Sequence, residues 1–326
     1  MKAMIAEAPN APLRLVELAR PQLGEGEVLV RIMASGLNPL DGKIRGGAAD
    51  HAKQPLPAVL GLDLAGVIEE IGQGVDGFEK GDEVFGMTGG VGGRQGSLAE
   101  FAAVDARLLA AKPARLSMRE AAAIPLAFIT AWEGLVDRAH VGAGHTVLVQ
   151  GGAGGVGHVA VQIARAFGAR VFATASATNR ALVEQFGATA IDRSIPVADY
   201  VRELTQGDGF DIVYDTVGGP VLDASFLAVK RFGHVVSALG WGTHVLAPLS
   251  FKGGTYSGVF TLLPLLTGQG RDHHGEIMRE ATRLADGGKL KPNLDPRTFG
   301  LDEAEQAFQL LEGDGARGKI VIDVAA

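Results

Sequence analysis

The spacing of apolar residues changes twice along the chain, and each change marks a different kind of structure. Up to about residue 110, short apolar runs alternate with glycine-containing turns. Runs of this kind, bounded by turn residues, are typical of strands in a β-rich or barrel-like unit. The predicted strands are Glu27–Met33, Val59–Ile71, the turn and strand Gly81–Phe85, and Leu98–Val104.

A helical pattern follows. Ser117 and Glu120 form an S-x-x-E capping box ahead of an alanine-rich stretch that extends to Val136. Beyond it, short apolar strands alternate with helices, which indicates βαβ units and a parallel sheet. The predicted strands are His145–Gln150, Arg170–Thr174, Phe210–Asp215 and His234–Leu239, and the predicted helices are Val156–Phe167, Asn179–Phe186, Pro196–Leu204 and Val221–Lys230.

The C-terminal part differs again. Gly275–Leu284 and Leu301–Leu311 have helical spacing, and Lys319–Val324 has the pattern of a final strand that we expect to return to the first unit. The sequence therefore predicts an α/β domain, residues 121–262, inserted between the two parts of a β-rich domain, residues 1–120 and 263–326.

Composition narrows the class of protein. The chain has 326 residues, 47 glycines and no cysteine, which excludes a disulfide framework, a cysteine nucleophile and a thiolate zinc site. Its net charge of −7 disfavours nucleic acid or an anionic membrane as partner. Because it shows neither an apolar run near the ~20 residues of a membrane span nor a signal-peptide pattern, we expect a cytoplasmic protein.

One motif carries recognisable chemistry. The segment Gly151–Gly157 follows a predicted strand and opens a predicted helix, and Gly152, Gly154 and Gly157 match G-x-G-x-x-G. In a dinucleotide-binding turn, such glycines allow a tight bend, close approach of the pyrophosphate, and close packing of helix on strand. We predict a dinucleotide site here; a glycine-rich turn that serves packing alone is the alternative.

The start of the helix is expected to bind the pyrophosphate directly. The first backbone N–H groups of a helix have no partner within the helix, and the helix dipole adds partial positive charge. The N–H groups of Gly154, Gly155 and Val156 are the predicted donors.

The residues after the second strand of the α/β domain indicate which dinucleotide binds. NAD sites usually place Asp or Glu there, whereas this chain has Ser176 and Arg180 and no acid before Glu184. A guanidinium binds a 2′-phosphate, and a carboxylate would repel one. We therefore predict NADPH, with Ser176 and Arg180 at its 2′-phosphate; a solvent-facing Arg180 is the alternative.

Several stretches together resemble one family. They are Ala34–Asp41, Pro57–Val67, Gly81–Val84, Ala121–Pro125 with Thr130–Trp132, the glycine motif, Asp215–Gly219 and Gly318–Val321. In order and spacing the chain resembles the medium-chain dehydrogenase/reductase superfamily, in its zinc-independent quinone oxidoreductase (zeta-crystallin-like) branch. The resemblance implies an α/β fold in which a doubly wound parallel Rossmann sheet is inserted in a GroES-like β-rich catalytic domain.

Departures from the zinc-dependent members of the superfamily are informative. Those enzymes carry a catalytic cysteine where this chain has Leu37 or Asn38, and Gly-His-Glu where it has Gly61–Asp63. They also carry a four-cysteine lobe that this chain lacks, and the eight histidines show no i, i+4 pair. We predict no metal.

The resemblance then implies a reaction. Hydride passes from NADPH to a quinone or an α,β-unsaturated carbonyl, small electrophilic acceptors that need no Lewis acid. An enoyl reductase acting on acyl thioesters and a nucleotide-binding protein with little turnover are the alternatives.

Asn38 and Asp41 are the candidate catalytic residues. The family places Asn38 in the cleft beside the cofactor, where an amide could donate to a developing oxyanion; an Asn-Pro turn is the alternative. Asp41 is a candidate to carry a proton or to cap the loop.

Further residues are assigned to the cofactor. Thr130 lies in the helix that the family places beneath the nicotinamide, with helix packing as the alternative. Val217 and Leu239 follow the fourth and fifth strands, where a doubly wound sheet opens to ligand. Lys319 faces either the cofactor or solvent. The family also suggests a homodimer or larger homo-oligomer, with Thr255–Phe260 as the candidate edge strand.

Overall fold

The chain divides into two units of different architecture. The computed structural model describes residues 1–313 and 315–325. One unit contains Met1–Leu126 and Leu262–Ala326, and the other contains Ala127–Thr261. The helix that begins at the capping box therefore belongs to the first unit, whereas the sequence placed residues 121 onward in the second.

The described residues form strands and α-helices in the following order. The strands are β1 (Lys2–Ala6), β2 (Arg14–Glu17), β3 (Glu27–Gly36), β4 (Ala58–Val59), β5 (Asp63–Ile71), β6 (Glu83–Met87), β7 (Phe101–Asp105), β8 (Leu109–Ala111), β9 (Thr146–Gln150), β10 (Arg170–Ala175), β11 (Thr189–Asp192), β12 (Phe210–Asp215), β13 (Val229–Ser237), β14 (Thr255–Gly258), β15 (Phe299–Gly300) and β16 (Val321–Asp323). The α-helices are α1 (Pro39–Arg45), α2 (Met118–Ala122), α3 (Pro125–Trp132), α4 (Gly157–Ala166), α5 (Arg180–Gln185), α6 (Val197–Thr205), α7 (Pro220–Ala228), α8 (Ala247–Ser250), α9 (Leu263–Thr267), α10 (Arg271–Asp286) and α11 (Ala304–Glu312).

The first unit is built on a largely antiparallel sheet. Its strand order is β15-β16-β3-β5-β6-β8, with β7 also paired to β3. Val28, Val30 and Ile32 alternate along β3 and pack against Leu64 and Ile68 of β5 in a buried core. This is the period of two that a sheet with one buried face requires.

The C-terminal strand completes this sheet. Strand β16 pairs antiparallel with β3, with Val321 opposite Gly36 and Ile322 opposite Ser35. The expectation that the last strand returns to the first unit is confirmed.

The second unit is a six-stranded sheet in the order β11-β10-β9-β12-β13-β14. Every pairing in it is parallel. Numbered along the chain this is 3-2-1-4-5-6, the order of a dinucleotide-binding doubly wound sheet. Phe172 and Phe210 form part of its core, with ring centroids 5.2 Å apart.

Local departures from the sequence prediction have physical causes. The capping box is present, with Ser117 Oγ accepting from the Glu120 N–H, but the helix ends at Ala122. A new helix starts at Pro125, because proline cannot continue a helix but suits its first turn. The sequence also missed β11, a four-residue strand whose outer side has no neighbour among the described strands.

Candidate active site

The glycine motif forms the turn between β9 and α4. A Cβ atom at Gly152 would lie 2.5 Å from the Ala173 Cβ, and one at Gly157 would lie 2.1 Å from the Gly151 oxygen. Both distances are shorter than atoms tolerate, so these two glycines are required for packing. Gly154 and Gly155 are exposed and form the open part of the turn.

The N–H groups of this turn have different roles. The Gly154 N–H donates to the Gly151 oxygen at 2.9 Å, so a group that the sequence assigned to the pyrophosphate is used inside the turn. Val156 stands at the N-cap of α4. The N–H groups of Gly155 and Val156 therefore remain the predicted hydrogen-bond donors to the pyrophosphate. Gly154, which has no side chain, leaves the approach to the turn open.

Strand β10 anchors the turn from the side. Thr174 Oγ1 accepts from the Gly151 N–H at 3.0 Å and donates to the Gln150 Oε1 at 2.9 Å. The Thr174 backbone oxygen accepts from the Gly152 N–H at 2.9 Å. Sequence reasoning missed Thr174, because a threonine inside a strand carries no motif.

The predicted 2′-phosphate residues lie where β10 ends. Ser176 Oγ is 2.9 Å from Thr178 Oγ1, and Arg180 Nε donates to Glu184 Oε1 at 2.9 Å. Ser176 is half-buried and Arg180 is exposed. An exposed i, i+4 ion pair contributes little stability, so Arg180 can exchange Glu184 for a phosphate at low cost.

A second arginine, Arg193, lies in the same region. It follows β11, and its N–H donates to the Ala175 oxygen at the end of β10. The N–H and hydroxyl of Ser194 lower the pKa of Asp192, and the charges of Arg193 and Arg180 lower it further. The sequence missed Arg193 because it missed the strand that places it there.

The loops after β12 and β13 touch each other. Val217 is 47% exposed and Leu239 is half-buried. Gly218 has φ +78°, and a Cβ atom there would lie 2.6 Å from the Leu239 oxygen. The two predicted cofactor residues thus lie on adjoining loops at the carboxyl edge of the sheet.

Thr130 lies in a buried polar network of the second unit. Its Oγ1 is 3.1 Å from Thr261 Oγ1, which donates to Glu133 Oε2 at 3.1 Å. The Tyr214 hydroxyl donates to the Thr130 backbone oxygen at 2.7 Å. Helix α3 passes here into a π-helix, Glu133–Arg138, a distortion that is frequent at functional sites.

In the first unit the structure brings Asn38, Asp41 and Lys319 together and adds Asp63. The Asn38 Nδ2 donates to Asp63 Oδ2 at 2.9 Å, and its Oδ1 accepts from the Lys319 ammonium. Lys319 also donates to the Leu37 oxygen at 2.9 Å. Both ends of the Asn38 amide are therefore engaged within a buried cluster.

Asp41 is fully buried at the start of α1. Its carboxylate accepts from the N–H groups of Asn38, at 2.8 Å, and Gly61, at 3.1 Å. This arrangement matches the helix-cap alternative and joins α1 to the segment before β5. Burial raises the pKa of Asp41 to about 7, opposed by the Asn38 N–H and reinforced by the charge of Asp63.

Burial also shifts the other two ionisable groups of the cluster. It raises the pKa of Asp63 to about 6, although Lys319 and Asn38 oppose the shift. It lowers the pKa of Lys319, whose charge Asp63 and Asp41 stabilise. The charge of a single buried ammonium thus acts on two buried carboxyl groups.

The positions that carry metal ligands in zinc-dependent members of the superfamily carry different residue types in this chain. Leu37 and Leu62 are buried apolar side chains. Across residues 1–313 and 315–325, no group of three or more His, Cys, Asp or Glu side chains is arranged to hold a metal ion. In the same residues, no helix has the length and apolar character to cross a bilayer.

Comparison with protein families gives two matches. Residues 24–114 match the alcohol dehydrogenase GroES-like domain, and residues 186–322 match the zinc-binding dehydrogenase family.

Two curated relatives cover most of the chain. A 2-methylene-furan-3-one reductase from Solanum lycopersicum is 39% identical over 94% of this chain and 74% of its own length. The NADPH-dependent alkenal/one oxidoreductase of Arabidopsis thaliana, a chloroplastic protein, is 36% identical over 93% of this chain and 73% of its own length.

Solved structures show the same fold along the whole chain. An alcohol dehydrogenase superfamily protein from Novosphingobium aromaticivorans is 62% identical, with a TM-score of 0.98 and full coverage of both chains. The quinone oxidoreductase from Coxiella burnetii is 31% identical, with a TM-score of 0.82, covering 100% of this chain and 99% of its own.

The two units are therefore a GroES-like unit and a Rossmann-type nucleotide-binding unit. The chain belongs to the medium-chain dehydrogenase/reductase superfamily, in its quinone oxidoreductase-like branch.

Proposed function

We propose that the protein is an NADPH-dependent reductase of electron-poor double bonds. Its substrates would be α,β-unsaturated carbonyl compounds and quinones, small electrophilic molecules. The observation that carries this proposal is the carboxyl edge of the second unit, where the glycine turn and two arginines at the ends of β10 and β11 suit a dinucleotide with a 2′-phosphate. The names of the two curated relatives point to the same chemistry.

NADPH, when bound, supplies the hydride, and the protein supplies position and polarity. Gly155 and Val156 would donate N–H groups to the pyrophosphate. Ser176, Arg180 and the additional Arg193 would hold the 2′-phosphate. Preference for NADPH over NADH follows from the guanidiniums together with the missing acid at the end of β10.

A reductase of this kind works without a Lewis acid, because the acceptor is already polarised. The side chains present agree with a zinc-free mechanism, because the apolar Leu37 and Leu62 lie where zinc-dependent members of the superfamily carry metal ligands. Asn38 has both ends of its amide engaged by Asp63 and Lys319. We therefore propose that Asn38 and Asp41 shape the substrate side of the first unit as positioning residues.

Self-association is part of the proposal. Strand β14 lies at one edge of the parallel sheet, paired with β13 on its inner side. An edge strand offers unpaired N–H and C=O groups to a second copy, so we propose a homodimer that forms through β14. Light scattering of the purified protein measures its mass directly. A cytoplasmic location remains a prediction from the sequence.

The deciding experiment is an acceptor screen with NADPH and NADH. Loss of NADPH absorbance is followed with a quinone, an alkenal, an alkenone and a crotonyl thioester. Turnover of the first three acceptors that is faster than that of the thioester, and faster with NADPH than with NADH, supports the proposal. Faster turnover of the thioester would identify an enoyl reductase instead, and tight NADPH binding without turnover of any acceptor would contradict a catalytic role.

A further inference from the structure

Asp215 collects hydrogen bonds from two loops at the carboxyl edge of the sheet. It ends β12 and is completely buried. Its Oδ1 accepts from the N–H groups of Val217, at 3.1 Å, and Gly218, at 3.0 Å. Its Oδ2 accepts from the Ser237 hydroxyl of β13 at 2.7 Å.

Ser237 extends this connection to the second loop. Its Oγ accepts from the Leu239 N–H at 3.1 Å. A backbone N–H can only donate and a carboxylate can only accept. The chain of donors therefore runs in one direction, from Leu239 through Ser237 to Asp215.

We infer that Asp215 is a positioning residue that sets the loops after β12 and β13 at the spacing that the cofactor needs. The inference rests on the proposed NADPH function and on the predicted contact of Val217 and Leu239 with the cofactor. Asp215 itself is buried beneath these loops and acts through them. No motif assigned it this role, because its partners come from both sides of α7.

An acid is required at this position. Two carboxylate oxygens accept from the three N–H or O–H groups of Val217, Gly218 and Ser237. An Asn side chain would replace one oxygen with a donor. That donor would face either the backbone N–H groups or the Ser237 hydroxyl, which would then have to turn its own O–H away from residue 215. At least one buried donor then loses its acceptor, and the loops separate.

Asp211 provides a matched control at the opposite end of the same strand. It accepts from the Thr146 N–H at 2.7 Å and the Thr146 hydroxyl at 2.6 Å, and it pairs with Lys230. Both aspartates therefore join β12 to its neighbours. Only Asp215 lies at the carboxyl edge, where doubly wound sheets bind ligands.

The test compares Asp215→Asn, Ser237→Ala and Asp211→Asn with the wild type. NADPH dissociation constants come from fluorescence titration, and Tm comes from thermal unfolding. We expect Asp215→Asn to raise the dissociation constant by about tenfold or more, since charge-assisted hydrogen bonds are lost, and Ser237→Ala to raise it by roughly threefold. Asp211→Asn should lower Tm but change the dissociation constant by less than about twofold.

Equal changes in NADPH affinity for the two Asn variants would show that Asp215 is merely structural and overturn the inference. Unchanged affinity in Asp215→Asn would do the same. If Asp215→Asn does not fold, Ser237→Ala decides by the same comparison with Asp211→Asn. A wild type that fails to bind NADPH overturns the proposed function as well, whereas normal wild-type binding with unaffected variants overturns the role of Asp215 alone.

Discussion

The Nδ2 atom of Asn38 lies 2.9 Å from Oδ2 of Asp63, and both side chains are buried. On its other side the same amide accepts from Lys319. One neutral side chain thus separates a buried carboxyl group from a buried ammonium. We therefore expect the stability of the first unit to depend on pH and on this cation.

Stability of the protein should fall as pH rises from 5 to 8. Burial raises the pKa of Asp63 to about 6 and that of Asp41 to about 7. The folded state then binds more protons than the unfolded state in this range, so the stability these groups contribute at low pH is lost as pH rises through their folded pKa values. Asp63→Asn should make the decline of Tm with pH shallower.

The control for this experiment is a carboxyl group shifted in the other direction. Asp211 has its pKa lowered to about 2 by hydrogen bonds that outweigh its burial. It stays ionised from pH 5 to 8, so Asp211→Asn should lower Tm and leave its slope with pH unchanged. A slope in Asp63→Asn equal to that of the wild type would contradict the assignment.

Removing the cation of the cluster should be costly. Lys319→Met leaves the Leu37 and Asn38 oxygens without their donor and removes the positive charge near Asp63 and Asp41. Leaving buried polar groups unsatisfied costs about 1–3 kcal/mol. Chemical denaturation measures the change in unfolding free energy. Lys289→Met, at an exposed lysine of the same unit, should change it by less than about 0.5 kcal/mol; similar losses in both variants would argue against a buried ion cluster.

The two arginines should determine cofactor preference. Arg180→Ala and Arg193→Ala should each weaken NADPH binding by about tenfold, since a charge-assisted hydrogen bond to phosphate is lost. NADH binding should change little because it lacks the 2′-phosphate. Titrations with both nucleotides test this, with Arg202→Ala on the exposed surface of α6 as the control. Equal effects on NADPH and NADH would rule out the 2′-phosphate site.

The glycine turn should tolerate no side chain at Gly157. A Cβ atom there would meet the Gly151 oxygen at 2.1 Å, so Gly157→Ala must deform the turn. We expect a loss of roughly 1–3 kcal/mol in unfolding free energy together with loss of measurable NADPH binding. Gly142→Ala is the matched control, because its Cβ would have nothing within 4 Å. Normal NADPH binding by Gly157→Ala would contradict the proposed role of the turn.

Much of the second unit was predictable because its signals are local. Strand β12 has the bounds that the apolar run predicts. Helix α4 is one residue shorter than its prediction at each end, and β10 is one residue longer at its C-terminal end. Strand β11 was not predictable in this way, since four residues carry too little pattern and their pairing with β10 supplies the rest. Arg193 depends on that pairing for its place beside the end of β10.

The sequence by itself determined the alternation of strands and helices, the glycine motif, and the missing acid that favours NADPH. These features depend on residues close together in the chain, where periodicity and backbone freedom act directly. Only the tertiary structure decided that Lys319 meets Asn38, 281 positions away, because that contact requires β16 to pair with β3. It also decided that the Gly154 N–H is used within its turn and that Asp63 and Asp41 have raised pKa values, since burial and hydrogen-bond geometry exist only once the chain is folded.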